Sequence, residues 1–347
     1  MTNCTFTKED GTMTSNLVTG NRGTYLLVLD LPEMMEAYER VGLQLPDVAF
    51  FKERQQCLTV RLQEIIPDCS LEIIEANKLV NQIARLLHDL LLVTPEAVVI
   101  STVSTIASKT GGRCLQINRL VDSTGKSLGL GARPGNGSLR GQFEEIRGCM
   151  EKRPVILVED GSFSGGTMKS MIEICNGMHI EIKHLVIGFL FPTAKENILK
   201  VFPRAKDIHC WREESFLDWM PDHDFYPFVP NSGKVVGFSY NSHHMPVYLH
   251  NGLSLCMPYV LPYGNPVEWA SIPAEHAKKF SAFCIQEARI IFSEMERINN
   301  QKITLESLDS TYPRVSLPIS NGDKEFPHIK TRILDILLHH EYAIAFS

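Results

Sequence analysis

The chain has 347 residues, 44% of them hydrophobic and 21% charged, with a formal net charge of -6. This length holds one large domain with extensions or two domains, and its apolar content excludes wholesale disorder. The mild acidity argues against a broad nucleic-acid surface. Nine scattered cysteines without a C-x-x-C pair offer no zinc knuckle or thioredoxin-type site and fit a reduced, intracellular protein.

No apolar run approaches the ~20 residues that span a membrane. The polar start MTNCTFTKEDGTMTS lacks a signal-peptide core, so the expectation is a cytoplasmic chain with no membrane partner. Residues 1–22 read as a loose tail and 23–74 as an N-terminal helical extension. In the latter, YLLVLDLPEMMEAYERVGL reads as a short apolar strand or turn leading into a helix. The strongest helical pattern is LEIIEANKLVNQIARLLHDLLLV (71–93). Leu71, Ile74, Leu79, Ile83, Leu86, Leu87 and Leu90 recur at helical spacing, Asp68 and Ser70 stand upstream as caps, and Pro95 marks the end.

Strand and helix then alternate. AVVIS (97–101), CLQINRLV (114–121), PVILV (154–158), HLVIGFLF (184–191) and DIHCW (207–211) read as strands. Helices are expected over 105–109, 142–152, 168–176 and 194–202. Short apolar strands alternating with helices predict an α/β fold, with a mostly parallel sheet flanked by helices. Residues 122–141, DSTGKSLGLGARPGNGSLRG, are glycine-rich, with few apolar residues and with Lys126, Arg133 and Arg140. Such a stretch is a functional lid or a solvated surface loop. Residues 241–347 form a C-terminal extension, with a turn-rich start, a long amphipathic helix (274–298), a Pro/Ser/Gly-rich stretch (311–323) and a terminal helix (330–342). The pairs His243–His244 and His339–His340 are adjacent in sequence and splay apart, so neither is a ready metal site.

The densest chemistry is PVILVEDGSFSGGTM (154–168): an apolar strand, two acids, then a Ser/Gly turn. A P-loop fits Gly161 and Gly166 but has Thr167 where lysine belongs. A dinucleotide fingerprint begins at Gly129 and Gly131 but meets Pro134 in place of its third glycine. A nucleophile elbow has Ser164 and Gly166, with Ser162 where its first glycine belongs. Adjacent acids closing an apolar strand are costly without a partner. Ser164, Gly165, Gly166 and Thr167 stand where a helix begins, so their N–H groups and hydroxyls suit a phosphate dianion. Glu159 and Asp160 suit sugar hydroxyls. The plain alternative is a well-capped helix.

The whole pattern, four or five apolar residues, two acids, three variable residues and Ser-Gly-Gly-Thr, resembles the phosphoribosyl pyrophosphate (PRPP) motif of type I phosphoribosyltransferases. The resemblance covers about residues 75–240. It implies a phosphoribosyltransferase-like core with N- and C-terminal extensions, displacement of pyrophosphate from C1 of PRPP by a nitrogen base, and Mg²⁺ held largely through PRPP. On the motif it places Glu159 and Asp160 as catalytic and ribose-binding acids, and Gly161, Ser162, Phe163, Ser164, Gly165, Gly166 and Thr167 around the ribose phosphate. It further implies a pyrophosphate loop at Val103, Ser104 and Thr105, which alone would read as an ordinary Ser/Thr turn, and contacts from Lys126, Arg133 and Arg140 on a closing loop. Base contacts are expected from Phe163, Phe225, Tyr226 and Phe228, with Asp218, Asp222 and Asp224 nearby; the plain alternative is a buried aromatic loop. The chain departs from some purine-salvage members at Phe163, where they carry a carboxylate that handles a ring proton of the base. The resemblance also implies a homodimer, with no interface residues identified. Three functions follow: a PRPP-dependent transferase in nucleotide metabolism, a catalytically inactive sensor of PRPP or nucleotides, and, on the weak elbow match, a serine hydrolase.

Overall fold

The computed structural model describes residues 23–150, 152–240, 243–248, 254–308, 314–316 and 328–346. The expected tail, 1–22, lies outside the described residues. Contacts divide the chain into two units. One gathers the described residues of 1–73, 119–129 and 220–347; the other gathers those of 74–118 and 130–219.

In chain order, β1 (Thr24–Leu29) is buried along its centre and delivers Asp30 to the start of α1 (Leu31–Met35). Asp47 caps α2 (Val48–Ile65), accepting the Phe50 N–H at 2.8 Å. The single helix expected over 71–93 is two elements, β2 (Ser70–Glu75) and α3 (Ala76–Val93). Leu79, Ile83, Leu87 and Leu90 are buried at helical spacing as expected. The β-branched pair Ile73–Ile74 prefers strand geometry, so Asp68 precedes and Ser70 opens a strand rather than capping a helix.

Next come β3 (Val98–Ser101), α4 (Ser104–Thr110), β4 (Arg113–Cys114), β5 (Ile117–Val121), β6 (Ser127–Ala132), α5 (Leu139–Cys149), β7 (Val155–Ser162), α6 (Gly166–Gly177), β8 (Ile182–Leu190), α7 (Pro192–Leu199), β9 (Ile208–Glu213) and β10 (Phe216–Pro221). The strand expected over 114–121 is thus split into β4 and β5. The hairpin of β5 and β6 carries the chain from the second unit into the first and back.

The fold is α/β. In the second unit, five parallel strands stand in the order β4-β3-β7-β8-β9. Val155 to Val158 are fully buried, as a strand covered on both faces requires. From β3 the chain steps outward to β4, returns on the other side of β3 as β7, then continues outward to β8 and β9. Right-handed crossovers in opposite directions send α4 and α6 to opposite faces. Consistent with this, α3 packs on α4 and β8, whereas α6 packs on α5 and α7. The reversal opens a crevice at the carboxyl ends of β3 and β7, the position where open α/β sheets bind ligands.

The remaining elements belong to the first unit: β11 (Lys234–Tyr240), β12 (His243–Pro246), β13 (Ser254–Met257), α8 (Pro266–Ala270), α9 (Ala277–Asn299), β14 (Arg314–Ser316) and α10 (Ile333–Phe346). β11 pairs parallel with β5, Val235 against Leu120, and antiparallel with β12 and β13. α9 buries Phe280, Cys284, Ala288, Ile291 and Met295 on one stripe, and α10 packs along it. The Arg332–Glu296 ion pair and a 2.6 Å hydrogen bond between the Tyr263 hydroxyl and His340 Nδ1 fasten α10. Residues 220–240, grouped in the sequence reading with the core, therefore fold with the two terminal segments. The stretch 311–323 lies outside the described residues except for its Arg314–Ser316 strand. Among the described residues no helix is long and apolar enough to cross a membrane.

Candidate functional site

The acids of the motif lie inside β7, not at its tip. The strand expected to end at Val158 continues to Ser162 because β8 runs beside it: Glu159 pairs with Ile187, Gly161 with Phe189 and Ser162 with Leu190. Glu159 is buried at 6% exposure and Asp160 is half-buried. One Asp160 oxygen accepts the Gly161 N–H at 3.0 Å. The Trp219 ring lies against Gly161, where a Cβ would come within 2.9 Å of it. Glycine is thus the residue that lets an aromatic ring close over the strand just beyond the acids.

The chain then turns through Phe163, Ser164 and Gly165 into α6. Gly165 is left-handed (φ 79°), and a Cβ there would stand 2.9 Å from the Ala194 carbonyl, so both conformation and space require glycine. The Ser164 carbonyl accepts the Asn197 side-chain amide at 3.1 Å, which anchors the turn to α7 while the residue itself stays exposed. No side chain caps α6. Its first N–H groups, beside exposed Ser164 and Gly166 and half-buried Thr167, carry the partial positive charge of a twelve-residue helix. Phe163 does not fill this space. Its ring packs on Phe191 with centroids 4.5 Å apart, and Phe191 packs on Phe216 at 5.2 Å.

The turn after β3 lies beside the motif. The Thr102 N–H donates to the Val158 carbonyl at 3.1 Å, one residue before Glu159, and the buried Ser101 hydroxyl accepts the Val103 N–H at 3.0 Å. Val103 is half-buried, and Ser104 and Thr105 are exposed at the first turn of α4. Val103–Thr105 and Glu159–Thr167 therefore meet at the carboxyl ends of neighbouring strands, at the crevice.

The other expected contacts are placed differently. Residues 122–141 are not a structureless lid. They form a tight turn, strand β6, a short strap and the start of α5. Lys126 sits in the turn, where Asp122 accepts its N–H at 3.1 Å and that of Thr124 at 2.8 Å; this turn belongs to the first unit. Arg133 donates from Nε to the Ile117 carbonyl at 3.1 Å. The strap is fixed by Gln142, whose amide bonds both to Gln116 and to the Gly137 carbonyl. Arg140 lies within α5, paired with Glu144 at 3.0 Å, and faces an open groove along the later turns of α6 lined by Ser170, Glu173, Ile174, Gly177 and Met178. Glycine content disguised this order: Gly125, Gly129 and Gly135 take positive φ as turn and strand residues, not as flexible linkers.

Phe225 and Tyr226 are core residues, fully buried in the first unit. Phe225 stands edge-on to Phe280 at 5.1 Å, so neither aromatic offers a face to a base. Phe228 is equally buried. Asp218 accepts the N–H of Trp219. Asp222 is completely buried. One of its oxygens accepts the Asp30 and Leu31 N–H groups at 2.8 and 2.9 Å, closing the start of α1, and the other accepts the Gln55 amide at 2.8 Å. Burial and the neighbouring Asp30 carboxylate push the Asp222 carboxyl well above its usual range. Asp224 accepts the Gly233 N–H at 2.7 Å. His223 lies 2.7 Å from Asp30 and 3.6 Å from Asp224; burial opposes its charge, but the two carboxylates raise it to about 9. These acids are structural.

Sequence reasoning did not find Ser101, Trp219 or Asn197. Ser101 closes an apolar strand and so carried a faint signal; nothing local marked the other two. Among the described residues no group of three or more His, Cys, Asp or Glu is arranged to hold a metal ion, and no histidine is hydrogen-bonded to Ser164. No protein-family profile matches the chain, and no curated protein sequence matches it significantly.

Proposed function

We propose that the chain binds PRPP in the crevice between β3 and β7 and transfers its phosphoribosyl group to a nitrogen acceptor, releasing pyrophosphate. The observation that carries this reading is the convergence of Glu159 and Asp160, the uncapped Ser164–Thr167 turn and the Val103–Thr105 turn at the carboxyl ends of two neighbouring strands. Asp160, the less buried of the two acids, holds ribose hydroxyls from the crevice, and Glu159, its neighbour on the strand, is turned to the opposite face and buried behind it. The N–H groups of Gly165–Thr167, with the Ser164 and Thr167 hydroxyls, hold the 5-phosphate. Val103–Thr105 lie on the pyrophosphate side. In the reaction the bond from C1 to the pyrophosphate oxygen breaks, a bond from the acceptor nitrogen to C1 forms, and the proton of that nitrogen passes to solvent. These groups orient the sugar for attack at C1.

A single carboxylate beside the ribose position fits Mg²⁺ held largely by PRPP oxygens and water rather than by a protein cage. When bound, that ion would neutralise charge on the departing pyrophosphate. Phe163 is drawn onto Phe191 and contributes an apolar wall, not an acid, so the acceptor would need no carboxylate from this position.

A second reading has its own support. Lys126, Arg133 and Arg140 are held in a turn, a strap and a helix instead of on a closing loop. That arrangement favours a protein that senses PRPP or a nucleotide without turning it over. Incubation with PRPP, Mg²⁺ and a panel of nucleobases, followed by pyrophosphate assay and calorimetry, separates the two. Pyrophosphate release with one acceptor supports the transferase, tight binding without release selects the sensor, and absence of binding to PRPP and, in a parallel titration, to nucleoside monophosphates rejects both.

A further inference from the structure

His184 and His209 stand on adjacent strands β8 and β9, outside every feature used above. Val186 is paired with His209, so His184 sits diagonally across the ladder on the same face of the sheet. Nδ1 of His184 and Nε2 of His209 are 3.3 Å apart, and the ring centroids are 5.1 Å apart. We propose that this pair is a binding site for a divalent transition-metal ion that favours imidazole (Zn²⁺, Cu²⁺ or Ni²⁺), held by the two facing nitrogens and completed by water.

The spacing is the first support. Nitrogens ~2.0–2.1 Å from a tetrahedral ion stand about 3.3 Å from each other, so the separation already suits an ion, and each ring turns in place to aim its lone pair at it. The environment is the second. Both rings are half-buried, and burial lowers both pKa values, which leaves neutral imidazoles with lone pairs at neutral pH. The charged groups facing them are Asp207, Arg204 and Lys183. Lys183 is paired with Glu181 at 2.7 Å. Arg204 is turned to the Ile182 carbonyl and lies 3.7 Å from Asp207. The Asp207 carboxylate adds attraction from the second coordination sphere. Proton balance is simple. In the resting pair one ring donates its N–H to the other. On binding, that ring moves the proton to its outer nitrogen, so both facing nitrogens present lone pairs and no net proton is released.

The position separates this site from the PRPP crevice. His184 precedes Leu190, at the carboxyl end of β8, by six residues, or about 20 Å of strand. The site therefore stands or falls without reference to transferase activity.

The test is titration of the full chain with Zn²⁺ alone by calorimetry, in parent, His184→Gln and His209→Gln proteins, with circular dichroism as a check on folding. The parent is expected to bind one equivalent that each variant loses or binds at least about tenfold more weakly, since loss of even a supporting partner costs that much. Millimolar Mg²⁺ is expected to leave binding unchanged, because a hard cation prefers oxygen ligands. Electron paramagnetic resonance of the Cu²⁺-loaded parent, which needs no variant, is expected to show coupling to two nitrogens. Equal Zn²⁺ binding in parent and variants, no binding by the parent, or coupling to fewer than two nitrogens overturns the proposal and leaves the pair as a hydrogen bond tying β9 to β8.

Discussion

Two stretches of this chain share one sequence pattern, an apolar run followed by an acid: YLLVLD ending at Asp30, and VILVED ending at Asp160. They are put to different uses. Asp30 is locked by His223 and stands beside a fully buried Asp222 whose oxygens are consumed by backbone and Gln55 donors. Asp160 is half-buried, within a strand whose carboxyl end opens at a topological reversal. The surroundings decide the role. An acid met by backbone N–H groups and a histidine holds the fold together, and an acid at a crevice can meet a ligand.

The sharpest way to break this contrast is to remove one acid from each set. Asp222→Ala leaves the Asp30 and Leu31 N–H groups and the Gln55 amide buried without their acceptor. The expected cost is about 3–5 kcal/mol of unfolding free energy, measured by urea denaturation. A loss under about 1 kcal/mol would mean that the buried cluster is not structural.

The histidine of the same cluster gives the next largest effect, and its sign is fixed. Its folded pKa, about 9, lies above the unfolded value of 6.5. Its stabilising contribution is therefore complete below about pH 6.5 and is lost as pH rises through 9. A shift of this size corresponds to about 3 kcal/mol. The urea midpoint should fall between these pH values in the parent and fall much less in His223→Gln. His340 behaves oppositely. Burial lowers it to about 4, so its contribution is present above pH 6.5 and is lost as pH falls through 4. Equal slopes in parent and variant would remove His223 from the account.

On the other side of the comparison, Asp160→Asn is expected to weaken PRPP binding by about a hundredfold, about 2.7 kcal/mol, with the urea midpoint unchanged. Unchanged affinity in a folded variant would refute the assignment of the ribose site. Gly165→Ala is expected to cost about 1–2 kcal/mol in stability, because alanine must adopt a positive φ against the Ala194 carbonyl. A midpoint equal to the parent's would show that the turn can rearrange.

Why some of this was readable from sequence and some not is itself physical. The parallel strands were legible because a strand buried on both faces must be continuously apolar, and AVVI, PVILV and LVIGFLF are. The motif was legible because acids followed by Ser and Gly are an uncommon ending for such a strand. β2 was hidden because LEIIE runs into a helix whose apolar spacing it happens to continue. The acids of 218–224 were legible as residues but not as a buried network, since their partners Asp30, Gln55 and Gly233 are up to 192 positions away. Phe225 and Tyr226 show the same limit: an aromatic that fills a core and one that stacks on a ligand have the same letter.

The smallest expected effect tests where the boundary of the crevice lies. Arg140 pairs with Glu144 on its own helix, with both side chains largely exposed, so the pair is worth at most about 0.5 kcal/mol. The groove it faces begins at Ser170 and reaches Met178. At 1.5 Å per residue this lies roughly 6–18 Å along the α6 axis from the uncapped N–H groups at Gly166. A guanidinium anchored there cannot cover pyrophosphate bound beyond the start of the helix unless α5 itself moves. Arg140→Ala should therefore leave the urea midpoint within about 0.5 kcal/mol of the parent and PRPP affinity within about twofold, about 0.4 kcal/mol. A tenfold loss of affinity would restore the closing-loop role, and with it would require α5 to shift when PRPP binds.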